Sequence, residues 1–329
     1  MLFNETQPAL RQGAKILPSE ILGGGLGFQF GNTFYVDSDA GSDSNVGNTP
    51  STAFATLAKA YASVVTNNND VIVLTGNASH VLASMIDWTK SRIHVIGTGN
   101  YGASTTQSTK LTMNVTTTAT DLYGVKVTGN RNTFSNIKFI SNNTLSTHLS
   151  PIYMGGEGNV YNNCASALLV QLDQTDMYSA IIASDSCTFN NCEFGSDTVQ
   201  RTAAQHTVLF GVSVSIPAKD NYFNNCTFKM NTTTAGCAHL QVGTGDCVNF
   251  TNIFRGTCFL AYVNAGAGAV TNTVNVITST SITGKLIFDQ NTFTGVGAKM
   301  AASANNVGVW ITASSTPTAN TSGVAVLGA

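Results

Sequence analysis

Apolar and polar positions alternate in short runs along most of this chain, and between Phe134 and Phe293 the alternation recurs as one pattern. An aromatic is followed by a spacer, an amide, a small or apolar residue, a spacer and usually a second aromatic. The copies are Phe134–Phe139, Tyr161–Ser166, Phe189–Phe194, Phe223–Phe228, Phe250–Arg255 and Phe288–Phe293. Their amide slots, Asn136, Asn163, Asn191, Asn225, Asn252 and Gln290, are 27, 28, 34, 27 and 38 residues apart. Recurrence at such a period predicts a solenoid of stacked coils. In this arrangement the aromatics point inward. The amides occupy corners, where Asn tolerates left-handed backbone and forms a ladder along the axis. Cys164, Cys192 and Cys226 share one slot and should form a buried thiol column. The longer spacings predict insertions between Asn191 and Asn225 and between Asn252 and Gln290.

The pattern changes toward the N-terminus. Residues 1–31 contain Phe3, Ile16, Leu17, Ile21 and Leu22 and a glycine run at 23–27. They cannot build a core of their own and read as an attachment arm. Thr33–Asp37 reads as a strand, and Gly41–Gly47 as a polar loop. Phe54, Leu57, Ala58, Tyr61, Val64 and Val65 form one face of a helix over about 53–66, capped by Ser51 or Thr52 and ended by Asn67–Asn69. Asp70–Gly76 and Ile93–Gly97 read as buried strands.

This order of strand, Gly41-Ser42-Asp43 loop, helix and strand resembles the opening of right-handed parallel β-helix proteins of the pectate-lyase-like superfamily. The resemblance covers roughly residues 32–300. It implies an all-β, right-handed parallel β-helix solenoid with a short N-terminal capping helix that plugs the first coil. The expected division is an arm at 1–31, the β-helix at 32–300, and a closing or oligomerisation segment at 301–329.

Composition narrows the chemistry. Charged residues are 10 % and apolar residues 43 %, with a net charge of -2, so neither nucleic acid nor membrane is an expected partner. The histidines lack metal-ligand spacing and the seven cysteines include no CxxC pair, so no metal or other cofactor is expected. Polysaccharide-cleaving β-helices need converging carboxylates, and acids are sparse here. Asp173, Asp176, Asp185 and Asp246 are the catalytic candidates if the chain is an enzyme. Glu193 falls in a spacer slot shared with Lys138 and Thr227, which predicts a solvent-facing side chain.

Met1–Thr6 show no basic-then-apolar leader. An apolar arm, unpaired thiols and few acids together resemble bacteriophage decoration, head-fibre and tailspike proteins. The expectation is a non-enzymatic virion structural protein, assembled in the host cytoplasm as a capsid decoration protein. Its partners would be copies of itself in a homotrimer, the major capsid protein or other virion proteins, and a host surface glycan. The alternative is a tailspike or free polysaccharide-degrading β-helix, a lyase or a glycoside hydrolase.

Overall fold

A computed structural model describes residues 31–312 apart from 77–78, 100–108, 114–121, 143–147, 170–176, 202–205, 214, 233–236, 244–247, 250, 263–273, 279–284, 295 and 301–308. The arm residues Phe3, Ile16, Leu17, Ile21 and Leu22 lie outside the described residues.

Among the described residues, short strands, each too narrow to bury a face alone, stack in register into three large parallel sheets and one two-stranded ribbon. Sheet A has ten strands, from Thr33–Val36 to Val309–Thr312. Sheet B has eight, from Ser79–Leu82 to Thr292–Thr294, and sheet C has eight, from Ile86–Trp88 to Val296–Met300. The chain visits A, B and C in turn, and every pairing between neighbouring coils is parallel. This is a parallel β-helix, with its core inside the triangle of sheets.

Parallel strands repeat every ~4.8 Å, which suits the thickness of stacked rings. Phe134, Tyr161, Phe189, Phe223, Phe254 and Phe288 of sheet A form one column, with centroids 5.3, 5.0, 4.5, 4.4 and 4.8 Å apart and planes within 8°. Phe194, Phe228, Phe259 and Phe293 of sheet B form a second. The columns meet edge-on, as between Phe228 and Phe254, the geometry aromatic quadrupoles favour. In the Tyr161 copy, Ser166 replaces the second aromatic and its hydroxyl donates to the Ser179 carbonyl.

Between sheets A and B the chain turns on a single left-handed residue. Asn136, Asn163, Asn191, Asn225 and Gln290 all have φ between 51° and 58°. Asn163 Nδ2 donates to Asn136 Oδ1 at 3.2 Å, and Asn191 Nδ2 to Asn163 Oδ1 at 3.2 Å. Asn252 is not in this column. Phe223 pairs with Phe254, which puts Gly256 (φ 59°) opposite Asn225. The fifth copy is therefore Phe254–Phe259, and glycine takes the left-handed corner at no steric cost. Asn252 belongs to a second, buried ladder at or just before the start of the sheet A strands. Asn132, Asn159, Asn221 and Asn252 each accept a backbone N–H from the preceding coil at Ile93, Asn132, Cys187 and Asn221, respectively.

The helix is shorter than the periodicity predicts. It spans Leu57–Ser63 (α1), with Thr56 as N-cap accepting from Lys59 N. Ser51 and Thr52 lie instead in a 3-10 turn, Pro50–Thr52. Phe54 bridges Val36 and stacks on Phe34, so it joins the first coil rather than the helix. Asp43 fixes the approach by accepting from Ala55 N, Thr56 N and Thr56 Oγ1. At the other end Lys90 Nζ donates to the carbonyls of Tyr61, Ala62 and Val64. This cation on the helix C-terminus satisfies carbonyls that no later turn can reach.

Candidate functional site

Sheet B alternates like any strand layer: Phe194 and Phe228 point into the core, and Glu193 and Lys229 point out. Register places Glu193 opposite Thr227, and Gly195 opposite Lys229. Gly195 has φ 98°, and a side chain there would strike the Lys229 carbonyl. Beyond Ser196 the pairing jumps, because Ser196 faces Met230 while Gln200 faces the next residue, Asn231. Residues 197–199 are thus bulged out. Ser196 Oγ accepts from Thr198 N and Val199 N, which fixes the bulge. Bulges re-aim side chains, and this one returns Asp197 toward Lys229.

Two carboxylates consequently converge on one ammonium group. Lys229 Nζ lies 2.9 Å from Glu193 Oε2 and 3.7 Å from Asp197 Oδ2. The Lys229 and Glu193 side chains are only 11 % and 12 % exposed, and Asp197 is 32 % exposed. Glu193 Oε1 and Asp197 Oδ1 are buried with no hydrogen-bond partner among the described residues. Lys138, in the Glu193 slot two coils away, is 6 % exposed. Burial lowers its pKa, opposed by Glu193 and reinforced by Lys110 and Lys229. The sequence-based expectation of a solvated Glu193 is corrected: it faces outward but is covered and ion-paired. Sequence distance concealed the pairing, since Glu193 meets Lys229 only across adjacent coils.

Of the acids singled out from sequence, Asp185 falls among the described residues and lies away from this group. Asp185 sits at the turn from sheet C to sheet A, paired with Lys219 at 3.3 Å and bonded by Ser186 Oγ. Asp173, Asp176 and Asp246 lie outside the described residues. Cys164, Cys192 and Cys226 occupy one buried column, their thiols directed at the carbonyls of Phe134, Tyr161 and Phe189. Burial raises the Cys164 and Cys192 pKa values, so both stay thiols.

Sheet C presents a different outer face. Tyr153, Tyr178, Ile181 and Ala183 pack there with Tyr123 and Leu209, and Tyr178 Oη donates to Gln241 Oε1 at 2.7 Å. Burial pushes the Tyr153 hydroxyl up to about 12.

Solved structures share this coil arrangement. The fold is the right-handed parallel β-helix of pectate-lyase-like proteins. A pectin methylesterase variant in complex with a hexasaccharide matches 83 % of this chain and 81 % of its own, with a TM-score of 0.50 and 9 % identity. A pectin methylesterase from Aspergillus niger matches 82 % and 90 %, at 0.45 and 11 %. A lacto-N-biosidase from Eubacterium ramulus matches 86 % and 67 %, at 0.34 and 10 %. No family model and no curated protein matches the chain. At such identities the likeness concerns the fold. The expectation of a non-enzyme is corrected on this ground: most of these matched β-helices, the pectin methylesterase at a TM-score of 0.50 among them, are carbohydrate-active enzymes. Scarcity of acids was the ground for that expectation, and the bulge after Ser196 brings two of them, Glu193 and Asp197, together on Lys229.

Proposed function

We propose that the chain acts on a polysaccharide, cleaving it by acid–base chemistry at Glu193 and Asp197. One observation carries this reading: both carboxylates converge on Lys229, and each keeps a buried oxygen without a partner among the described residues. Paired carboxyl groups a few ångströms apart are what glycoside hydrolysis requires, one donating a proton to the leaving oxygen and the other activating water or attacking. Lys229 holds the two acids in place.

The test is a panel of purified polysaccharides scored for chain shortening by light scattering. Wild type should shorten at least one of them, and Glu193→Gln and Asp197→Asn should each slow this at least a hundredfold while retaining the β-sheet circular dichroism spectrum. Undiminished cleavage by both variants would place the chemistry elsewhere, and intact polysaccharide throughout would remove the reading.

A second reading locates this activity on a phage particle, as in a tailspike that assembles in the host cytoplasm as a homotrimer attached through residues 1–31. Its support is that Cys164, Cys187, Cys192, Cys226 and Cys258 form no disulfide, which suits folding in a reducing compartment. Co-sedimentation of the chain with purified particles, lost on deleting residues 1–31, is the expected outcome.

A further inference from the structure

The outward slot that holds Glu193 is filled, coil by coil, by Lys110, Lys138, Ala165, Glu193 and Thr227. Two lysines therefore stand on adjacent strands, ~4.8 Å apart at the backbone, and the next coil offers only a methyl group. Lys138 is nine-tenths buried. Among the described residues, neither lysine has a carboxylate within ion-pair distance; the ion pairs formed on this face belong to Lys229. Like charges in register repel, and a buried cation without a counter-charge is costly. Ala165 alone separates Lys138 from Glu193 in this slot.

We propose that Lys110 and Lys138 form an anion site that takes a sulfate or phosphate ester carried by the glycan whose scissile bond lies over Glu193 and Asp197. The proposal rests on the reading above and adds the class of substrate. Lysine ammonium groups are compact point charges with three donors each, suited to a tetrahedral oxyanion. A planar carboxylate is matched better by the fork of an arginine. The groups facing Lys138 are Lys110 on one side and, beyond Ala165, Glu193, Asp197 and Lys229. The acids are engaged by Lys229, which leaves the stacked lysines as the positive end of the face.

Calorimetric titration of the full chain tests this, with N-acetylglucosamine 6-sulfate, inorganic sulfate and glucuronate as probes at an ionic strength held constant with sodium chloride. The sulfated sugar should bind saturably and at least tenfold more tightly than either glucuronate or inorganic sulfate. Lys138→Met should abolish binding and Lys110→Met should weaken it at least tenfold, while Lys126→Met on sheet C leaves it unchanged. Lys110→Met decides the matter if Lys138→Met does not fold. Absence of saturable binding, equal affinity for glucuronate or inorganic sulfate, or undiminished binding by Lys110→Met would overturn the proposal. Because no turnover is involved, sulfate-ester binding by a chain that cleaves nothing would sink the enzymatic reading alone, and cleavage without such binding would sink this one.

Discussion

Sheet A and the outer face of sheet B are built from the same coils, yet they obey opposite rules. Along sheet A each coil repeats the last: ring on ring inside, amide on amide at the corner, and a second, half-buried amide row in which Asn190 and Asn224 donate to Asn162 and Asn190 at 2.9 Å. Repetition is stabilising there because a flat ring or a primary amide binds a copy of itself at the strand spacing. Charges cannot stack this way, since identical ones repel. On sheet B the outward slot passes from lysine through alanine to glutamate and threonine. In a solenoid, then, repetition marks what holds the fold, and its interruption marks where selection acts on something else.

The sharpest way to break the comparison is to remove one ring from the column. Phe223 lies between Phe189 and Phe254 at 4.5 and 4.4 Å and is fully buried. Phe223→Ala should cost about 3–5 kcal/mol, read as a fall in the urea midpoint. Glu193→Gln keeps the shape of the face and should cost less than half as much. A comparable loss from both would mean that the sheet B charges hold the fold too.

Interior positions that depart from repetition should show themselves as pH decreases. His206 lies near the corner of sheets B and C, its Nδ1 accepting from Ala238 N, and burial lowers its pKa to about 4. His239 is fully buried against the Phe259 ring, with its pKa lowered to about 3. In the unfolded chain both titrate near 6.5. Below that pH the unfolded chain takes up protons that the folded one refuses, so their stabilising contribution is complete above pH 6.5 and is lost progressively as pH falls toward 4. For His206 the loss is on the order of 3 kcal/mol. His239→Leu should flatten the stability profile between pH 6.5 and 4, and an unchanged slope would show that burial of this ring does not govern it.

Much of this architecture was legible because it repeats. The corner asparagines and inward aromatics follow from spacing and from the conformations Asn tolerates. The fifth copy was misplaced by four residues because Phe250-Thr251-Asn252 and Phe254-Arg255-Gly256 both fit the frame, and a search for amides passes over glycine, which serves the same corner. Phe54 has helical spacing, but tertiary packing on Phe34 and Val36 outweighs it. The Glu193, Asp197 and Lys229 group was hidden for a deeper reason. Its members belong to different coils, and one arrives through a bulge, which leaves no periodic trace. Gly195, immediately before that bulge, was the available signal.

Smaller effects separate the two asparagine ladders. Asn221 Oδ1 accepts from Ser184 Oγ at 2.8 Å and Cys187 N at 3.1 Å, and its Nδ2 donates to Ser184 O and Asn252 Oδ1, both at 3.0 Å. All of these are buried, so Asn221→Ala strands several groups at once. It should cost about 1–3 kcal/mol, measured by chemical denaturation.

The corner ladder asks less of its amide. Asn191 adopts φ 52° and its side chain bonds Asn163 at 3.2 Å, in an exposed position where water can replace it. Backbone conformation should therefore matter more than the side chain. Asn191→Gly, which copies the native Gly256 corner, should stay within about 0.5 kcal/mol of wild type, because glycine enters the left-handed region freely. Asn191→Val, whose branched Cβ meets the carbonyl there, should lose about 1–2 kcal/mol. Equal losses would shift the weight to the amide ladder, and the corner would then be held by side-chain hydrogen bonding rather than by tolerance of the turn.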